Sequence, residues 1–411
     1  MRLLTPLLLT ILVLAGCAGR LEGGLIPVST RAPGASEVEL LVATTRKPSD
    51  LPGRMFSGER DSRFNFADVV VSIPPDASRK IGEVQYAETG EGDPATQFVT
   101  LQADRLDEPS AIKLFHERLA RTHQKQVMVF VHGYNTRFGE AVFRLAQIAH
   151  DSRLTAVPVL FTWPSRGKLL AYGYDRESAN YSRDALERLL KFLQEDKAVE
   201  EIDILAHSMG NMVAMESLRQ MAIRDKRIAP KIHHVMLAAP DVDVDVFRRQ
   251  IVEIGEERPP FTLFVSRDDD ALHVSSKLWG DKPRIGAVDP ESEPYATMFR
   301  EARVDVIDLT KIKTSDSLGH SKFATSPEVV RSIGMRLAEG QHFEEDDIGI
   351  GERIAQTTTG AATTLGSAAG MALSAPVALV DGKTRDELGD EFEEMQNHIS
   401  AVGRPGLSQH Y

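Results

Sequence analysis

An α/β fold, a mostly parallel sheet with helices on both faces, is predicted by three features of the 411-residue sequence. Short apolar runs recur from Val127 onward: VMVFVH, VPVLFTW, IDILAHS, HHVMLAAP, FTLFVS and VDVIDLT. Their near-continuous hydrophobicity suits strands covered on both faces. Segments with a helical apolar stripe lie between them: Val142, Leu145, Ala146 and Ala149; Leu186, Leu189, Leu190 and Leu193; Ala214, Leu218, Met221 and Ala222. Such alternation of strand and helix closes most simply as a parallel sheet with right-handed crossovers.

The elements can be justified in order. MRLLTPLLLTILVLAGC has a basic Arg2, an apolar run from Leu7 to Leu14 and small residues before Cys17, the pattern of an export signal over residues 1–16. LAGC resembles the lipobox of bacterial lipoproteins, which implies that Cys17 is lipidated and anchors the chain to a membrane. The run is too short to span a bilayer comfortably, whereas acyl chains add about 0.8 kcal/mol per buried methylene. Ala18 after the cysteine leans toward the outer membrane, giving an expected place in the cell envelope, on the periplasmic face if the cell is Gram-negative. Residues 17–36 read as a flexible tether rich in Gly, Pro and Ser. VELLVATTR (Val38 to Arg46) and ADVVVSIP (Ala67 to Pro74) read as strands, so the domain is expected over residues 37–340, with a final helix at Pro327 to Glu339. From 341 an acidic stretch (Glu344 to Asp347) and an uncharged run rich in Ala, Gly, Thr and Ser read as a flexible or loosely helical tail.

Composition excludes several functions. The formal charge of −12 argues against nonspecific nucleic-acid binding. With one cysteine there is neither an intramolecular disulfide nor a multi-cysteine zinc or iron–sulfur site. HExxH, the P-loop and the dinucleotide fingerprint are missing, and no metal or organic cofactor is expected. His233 and His234 are neighbours in a strand, so their side chains should face opposite ways, which speaks against a two-histidine metal site.

The chemistry concentrates at IDILAHSMGNMVA (Ile202 to Ala214), where a strand runs straight into a helix. Ala206-His207-Ser208-Met209-Gly210 matches the G-x-S-x-G nucleophile elbow except for Ala at the first position. Small residues two before and two after the serine let a sharp turn expose its hydroxyl, and the following helix directs amides at developing negative charge. Upstream, VMVFVHGYNT ends a strand in His132-Gly133-Tyr134-Asn135; the main-chain amides of Tyr134 and Met209 are the expected oxyanion donors, and Gly133 permits close approach. His132 is expected to be a buried imidazole that orients this loop. The general base is expected at His320, in the loop SLGHSKFATSPEVV between the last strand and last helix. VSRDDDALHVS offers Asp268, Asp269 and Asp270 just after a strand. Asp269 is the first choice to orient His320, Asp268 the second and Asp241 an outside candidate. The order Ser, Asp, His agrees with that of the nucleophile-elbow hydrolases.

LLVATTRKP, VVVSIPP, VFVHGYNTRF, FTWPSRGKLLAYGYDRESANYSRDALERLL, LAHSMGN, LAAPDVD, VSRDDDAL and GHSKFATSPEV together resemble a bacterial alpha/beta-hydrolase family of unknown function, related to esterases and lipases, over about Val38 to Leu337. The resemblance implies an alpha/beta-hydrolase fold with Ser208 as nucleophile, Asp269 as acid and His320 as base. It names no substrate.

The expected activity is hydrolysis of a small-molecule or lipid-like carboxylic ester through an acyl-enzyme on Ser208; a thioesterase, amidase or acyltransferase would use the same intermediate. The alternative is a non-catalytic envelope-binding or scaffold protein that kept the fold. Trp163, in TWPSRG, is open between lining the site and plain packing. Tyr174, Asp175 and Arg176 are open between shaping a pocket and starting a solvated helix. About twenty residues separate Asp241 from Phe261, room for one helix and no large cap domain, while the insertion from Lys277 to Arg300 is placed to border the site.

Overall fold

A computed structural model describes residues 24–87 and 92–339. The proposed leader, Cys17 and the tail from residue 341 lie outside these. The chain divides into two units: Leu21–Gly167 with Ala171–Thr363, which contains everything below, and Met1–Arg20, Lys168–Leu170 and Thr364–Tyr411.

The strands are β1 (Ser36–Pro48), β2 (Phe56–Ile73), β3 (Val99–Leu106), β4 (Gln126–Val131), β5 (Val157–Thr162), β6 (Glu201–His207), β7 (Ile232–Ala238), β8 (Phe261–Val265) and β9 (Val304–Asp308). The helices are α1 (Glu108–Arg121), α2 (Phe138–Asp151), α3 (Tyr172–Glu195), α4 (Gly210–Asp225), α5 (Val244–Ile254), α6 (Asp270–Leu278), α7 (Tyr295–Glu301), α8 (Lys322–Thr325) and α9 (Pro327–Glu339). Among the described residues the strands form one nine-stranded sheet ordered β3-β2-β1-β5-β4-β6-β7-β8-β9. It is parallel from β1 across to β9, and β2 and β3 add an antiparallel edge.

Alternation along the central strands explains the layers. Val127, Val129, Val131, Ile202, Ile204 and Ala206 pack toward α1, α3, α4, α5 and α7. Met128, Phe130 and Leu205 pack on the other face toward α2, α8 and α9. Burying a large aliphatic or aromatic side chain contributes about 1.5–3 kcal/mol, so these two cores dominate stability. Local signals set the helix starts. Asp107 caps α1 by accepting from Ser110 N (2.8 Å), and Asp243 caps α5 by accepting from Asp245 N (2.8 Å). Glu140 reaches back to Arg137 N (2.8 Å) to close a capping box on α2.

The alternating pattern does not announce every element. β2 begins at Phe56, eleven residues before the expected strand, because its polar first half (FSGERDSRFNF) pairs with the end of β1, Arg46 opposite Arg60 and Pro48 opposite Phe56. β3 and α1 are likewise polar enough to read as loop: β3 is an edge strand with exposed Asp104 and Arg105. The domain also starts upstream of residue 37. Leu25 and Val28, expected in the tether, are buried in or beside the core, and their amides donate to Gly53 O (3.3 Å) and Thr100 O (2.8 Å). A single helix, α5, fills the interval between β7 and β8, as its length predicts.

The expectation for His233 and His234 fails. Ile202 pairs with Ile232 but Asp203 pairs with His234, so His233 is an inserted residue at a β-bulge. The bulge interrupts the alternation, and the two imidazole centroids stand only 4.7 Å apart.

Helix α9 docks through a glycine. A Cβ at Gly334 would stand 1.8 Å from Ser152 O, whereas one at Gly173, in the first turn of α3, meets nothing within 4 Å. Gly334→Ala is expected to destabilise the chain by about 1–3 kcal/mol through overpacking, and Gly173→Ala to be neutral or slightly stabilising by helix propensity. Thermal melts of the two variants check this; equal melting temperatures would contradict the close approach.

Candidate active site

β6 ends at His207, and Ser208 occupies the left-handed region with φ +53° before α4 begins at Gly210. That conformation costs a non-glycine residue roughly 1–3 kcal/mol. The surroundings hold it in place. Ser208 N donates to Ala238 O (2.9 Å), and Ser208 O accepts from Asn211 N (3.1 Å), Asn211 Nδ2 (2.9 Å) and Asp241 N (3.3 Å). Asn211, fully buried, also donates through Nδ2 to Ala238 O (3.0 Å). Sequence reasoning missed this clamp; its signal was a polar residue three after the serine in an otherwise apolar helix start.

Two glycines let the elbow touch the end of β4. A Cβ at Gly210 would lie 2.4 Å from His132 O, and one at Gly133 would lie 2.8 Å from Ser208 Cβ. Tyr134 therefore follows a residue in direct contact with the serine. The loop after Gly133 is fastened from below: Asn135 N donates to Asp175 Oδ2 (3.3 Å), Thr136 N to Ser165 Oγ (2.9 Å), and Arg46 to Thr136 O (2.8 Å). Arg46 is buried and also donates to Thr162 Oγ1 (2.8 Å) and Ser165 O (2.7 Å). Burial lowers its pKa to about 10 despite the charges of Asp175 and Glu140. Asp175 is buried too and accepts from Ser165 Oγ (2.5 Å) and Arg166 N (2.9 Å). Desolvation raises its pKa even against those bonds and the charge of Arg46.

His132 occupies the centre of this network. One ring nitrogen, Nδ1, meets Gly133 O at 2.8 Å and the other, Nε2, meets Thr162 Oγ1 at 2.8 Å. Trp163 stacks on the ring, with centroids 5.0 Å apart, and donates to His132 O (2.8 Å). Burial, then the charge of Arg46, lower the His132 pKa to about 3, so the imidazole is neutral. Trp163 is thus packed inside the scaffold and does not line a surface. Of the trio 174–176, Asp175 serves the interior, while Tyr174 stacks beneath the guanidinium of Arg166 (3.8 Å) and Arg176 covers Trp279 (4.1 Å).

His320 lies in the loop between β9 and α8, and its Nδ1 is 2.7 Å from Asp269 Oδ2. Asp269 is fully buried and its other oxygen caps α6 by accepting from Leu272 N (3.0 Å). The pKa of His320 is raised: burial opposes the charged form, but the charge and hydrogen bond of Asp269, then Asp241 and Asp316, prevail. His207 joins this loop to the elbow. Its Nε2 donates to His320 O (3.2 Å), and its ring stands 4.8 Å from that of His320 and 4.7 Å from Phe323. Burial, then the charge of His320, keep His207 neutral. No hydrogen bond joins Ser208 Oγ to His320 among the described residues; such links commonly close only when substrate is bound.

The other aspartates are engaged elsewhere. Asp268 accepts from Ser266 Oγ (2.6 Å) and from buried Lys322 Nζ (2.7 Å), and Asp270 opens α6. Asp241 accepts from Tyr172 OH (2.6 Å) and Ser275 Oγ (2.6 Å) and pairs with Arg284 (3.4 Å). A cleft of about 350 Å³ opens beside this group, lined by Tyr172, Arg176, Met212, Asp241, Val242 and Arg284 among others. Arg284 comes from the 277–300 insertion, which therefore borders the cleft.

A mostly parallel sheet, a strained serine between strand and helix, and a carboxylate-paired histidine beyond the last strand define an alpha/beta hydrolase. The chain belongs to the family described as alpha/beta hydrolase of unknown function (DUF900), whose model matches residues 107–336. An uncharacterized protein of Nostoc sp. is 29% identical over 147 residues, which covers 30% of this chain and 38% of that protein. This chain thus matches well under half the length of that relative. Among solved structures, the esterase Pf2001 of Pyrococcus furiosus aligns at 14% identity over 53% of this chain and 83% of that one, with a TM-score of 0.32. An esterase of Rhizomucor miehei aligns at 12% identity over 75% and 83%, TM-score 0.33. A lipase-esterase related protein of Clostridium acetobutylicum aligns at 8% identity over 53% and 95%, TM-score 0.30.

The buried neutral histidines make stability depend on pH. In the unfolded chain an imidazole binds a proton below about pH 6.5, but folded His132 does so only near 3 and His207 also resists. The unfolded state thus binds more protons as pH falls, and stability decreases with it, by up to about 1.4 kcal/mol per pH unit for each group. His320, shifted the opposite way, loses its contribution above this range. Urea midpoints are expected to fall between pH 6.5 and 5, and the slope to be shallower in His132→Gln; a flat wild-type profile would contradict the neutral, buried state.

Proposed function

We propose that this chain is a lipid-anchored serine hydrolase that cleaves carboxylic esters. The observation that carries the reading is the pairing of His320 Nδ1 with buried Asp269, together with a serine held at positive φ on the strand-to-helix turn. In this mechanism Ser208 Oγ attacks the ester carbonyl while His320 Nε2 takes its proton. Asp269 fixes the tautomer and stabilises the imidazolium. The amides of Met209 and Tyr134 receive the oxyanion; His320 then protonates the leaving alcohol, and water resolves the acyl-enzyme. His207 acts as a positioning residue, tying the His320 loop to the elbow.

A fluorophosphonate probe is expected to label the wild type and not Ser208→Ala, and short p-nitrophenyl esters to be turned over. Because the base must be neutral and its pKa is raised, the acidic limb of kcat/KM is expected above pH 6.5. Asp269→Asn should move that limb down and lower kcat by on the order of 10⁴. Undiminished labelling of Ser208→Ala would overturn the nucleophile assignment, and no turnover of esters, thioesters or amides would favour a binding protein on the same fold.

The anchor rests on the leader and Cys17, with the periplasmic face of the outer membrane as the proposed location in a Gram-negative cell. Cys17→Ser is expected to shift the protein from the membrane to the soluble fraction. Detergent-phase partitioning unchanged by that substitution would refute lipidation at Cys17.

A further inference from the structure

β6 leads from Asp203 toward Ser208, so Asp203, near the start of the strand, lies about 16 Å from the serine, at the opposite end of the sheet. There the bulge at His233 gathers an unusual group. Asp203 is fully buried, His234 nearly so and His233 half-buried. Asp203 Oδ1 stands 3.0 Å from His234 Nδ1, and one ligand-capable atom from each of the three residues lies within 4.8 Å of the others. Gln126 Nε2 holds the second oxygen of Asp203 at 2.6 Å and also meets Glu201 Oε2 (3.3 Å) and Leu337 O of α9 (3.1 Å).

The charge balance here is incomplete. A buried carboxylate needs a cationic partner or a set of strong donors. Among the described residues the only ion-pairing partner of Asp203 is an imidazole, which is charged only when protonated. Glu201 adds a second carboxylate to the same amide. The nearest lysine in sequence, Lys231, is directed away and donates from Nζ to Asp196 O (2.6 Å).

We propose that Asp203, His233 and His234 bind a divalent first-row transition-metal ion. Two imidazoles and one carboxylate are a donor set suited to zinc, cobalt or nickel and poorly suited to magnesium or calcium. The 3.0 Å separation of Asp203 Oδ1 from His234 Nδ1 is close to the ligand–ligand edge of about 3.0–3.4 Å that an octahedral or tetrahedral shell has at metal–ligand distances of about 2.1 Å. Gln126 is the outer partner that orients the carboxylate, and water completes the shell on the half-open side at His233. Gln126 Oε1, buried and without a donor among the described residues, is placed to accept from such a water. The ion would fasten β6 to β7 and, through Gln126, to α9. Its role is structural or regulatory, because it lies at the far end of the sheet from the serine. The inference does not depend on the proposed hydrolase activity.

The test uses the full chain, stripped with EDTA and titrated with Co²⁺ or Zn²⁺. One Co²⁺ per chain, a visible d–d absorption and a Zn²⁺-dependent rise in melting temperature are expected. His233→Ala, altered at a half-buried position, is expected to melt like metal-free wild type while losing at least tenfold in affinity together with the absorption band. Asp203→Asn should lose binding as well, and Ser208→Ala should bind like wild type. No saturable Co²⁺ uptake by the wild type, or uptake by His233→Ala at wild-type affinity, would overturn the proposal.

Discussion

The site depends on one steric constraint, the backbone contact between the turn at Ser208 and the end of β4. Gly210 lies against His132 O and Gly133 against Ser208 Cβ, at distances no side chain tolerates. Parallel pairing of β4 with β6 brings Val131 beside Ala206 and sets up that approach. The positive φ of Ser208 is then sustained by hydrogen bonds from Asn211 and Asp241 and to Ala238. A strain of a few kcal/mol persists because several independent bonds enforce it, each worth about 1 kcal/mol.

A buried polar network holds the other wall of the site. Arg46, Thr162, His132, Ser165 and Asp175 sit inside the domain and together fasten the loop from Gly133 to Thr136. Apolar residues would fill this volume at less desolvation cost. What they would not supply is a defined orientation for successive loop amides, which takes donors and acceptors in fixed places. Opposing pKa shifts, Arg46 lowered and Asp175 raised, record how strongly the interior resists both charges.

Legibility from sequence varied with the range of the interactions. The central strands and helices were plain, because burial on both faces leaves long apolar runs and helical stripes. β3, α1 and the first half of β2 were not, because an edge strand and a partly exposed helix keep many polar residues. Asp269 was readable only as the middle of three aspartates, since Asp268, Asp269 and Asp270 have the same chemistry and differ only in direction. In the fold, Lys322 takes Asp268, α6 begins at Asp270, and Asp269 alone meets His320. Asn211 and His207 were hidden by their neighbours' stronger motif. The histidine pair at 233 and 234 was misread because strict strand alternation was assumed where a bulge breaks it.

By itself the sequence determined the class of fold, the strand-to-helix junction carrying Ser208, and the residue types available for chemistry. Periodicity and local turn requirements are written within a few residues of each other, so they need no partner to be read. The tertiary structure alone decided which carboxylate faces His320, which polar residues are buried as supports, and where Asp203, His233 and His234 converge. Those outcomes depend on register, crossover and bulge, which are set by packing between segments far apart in the chain.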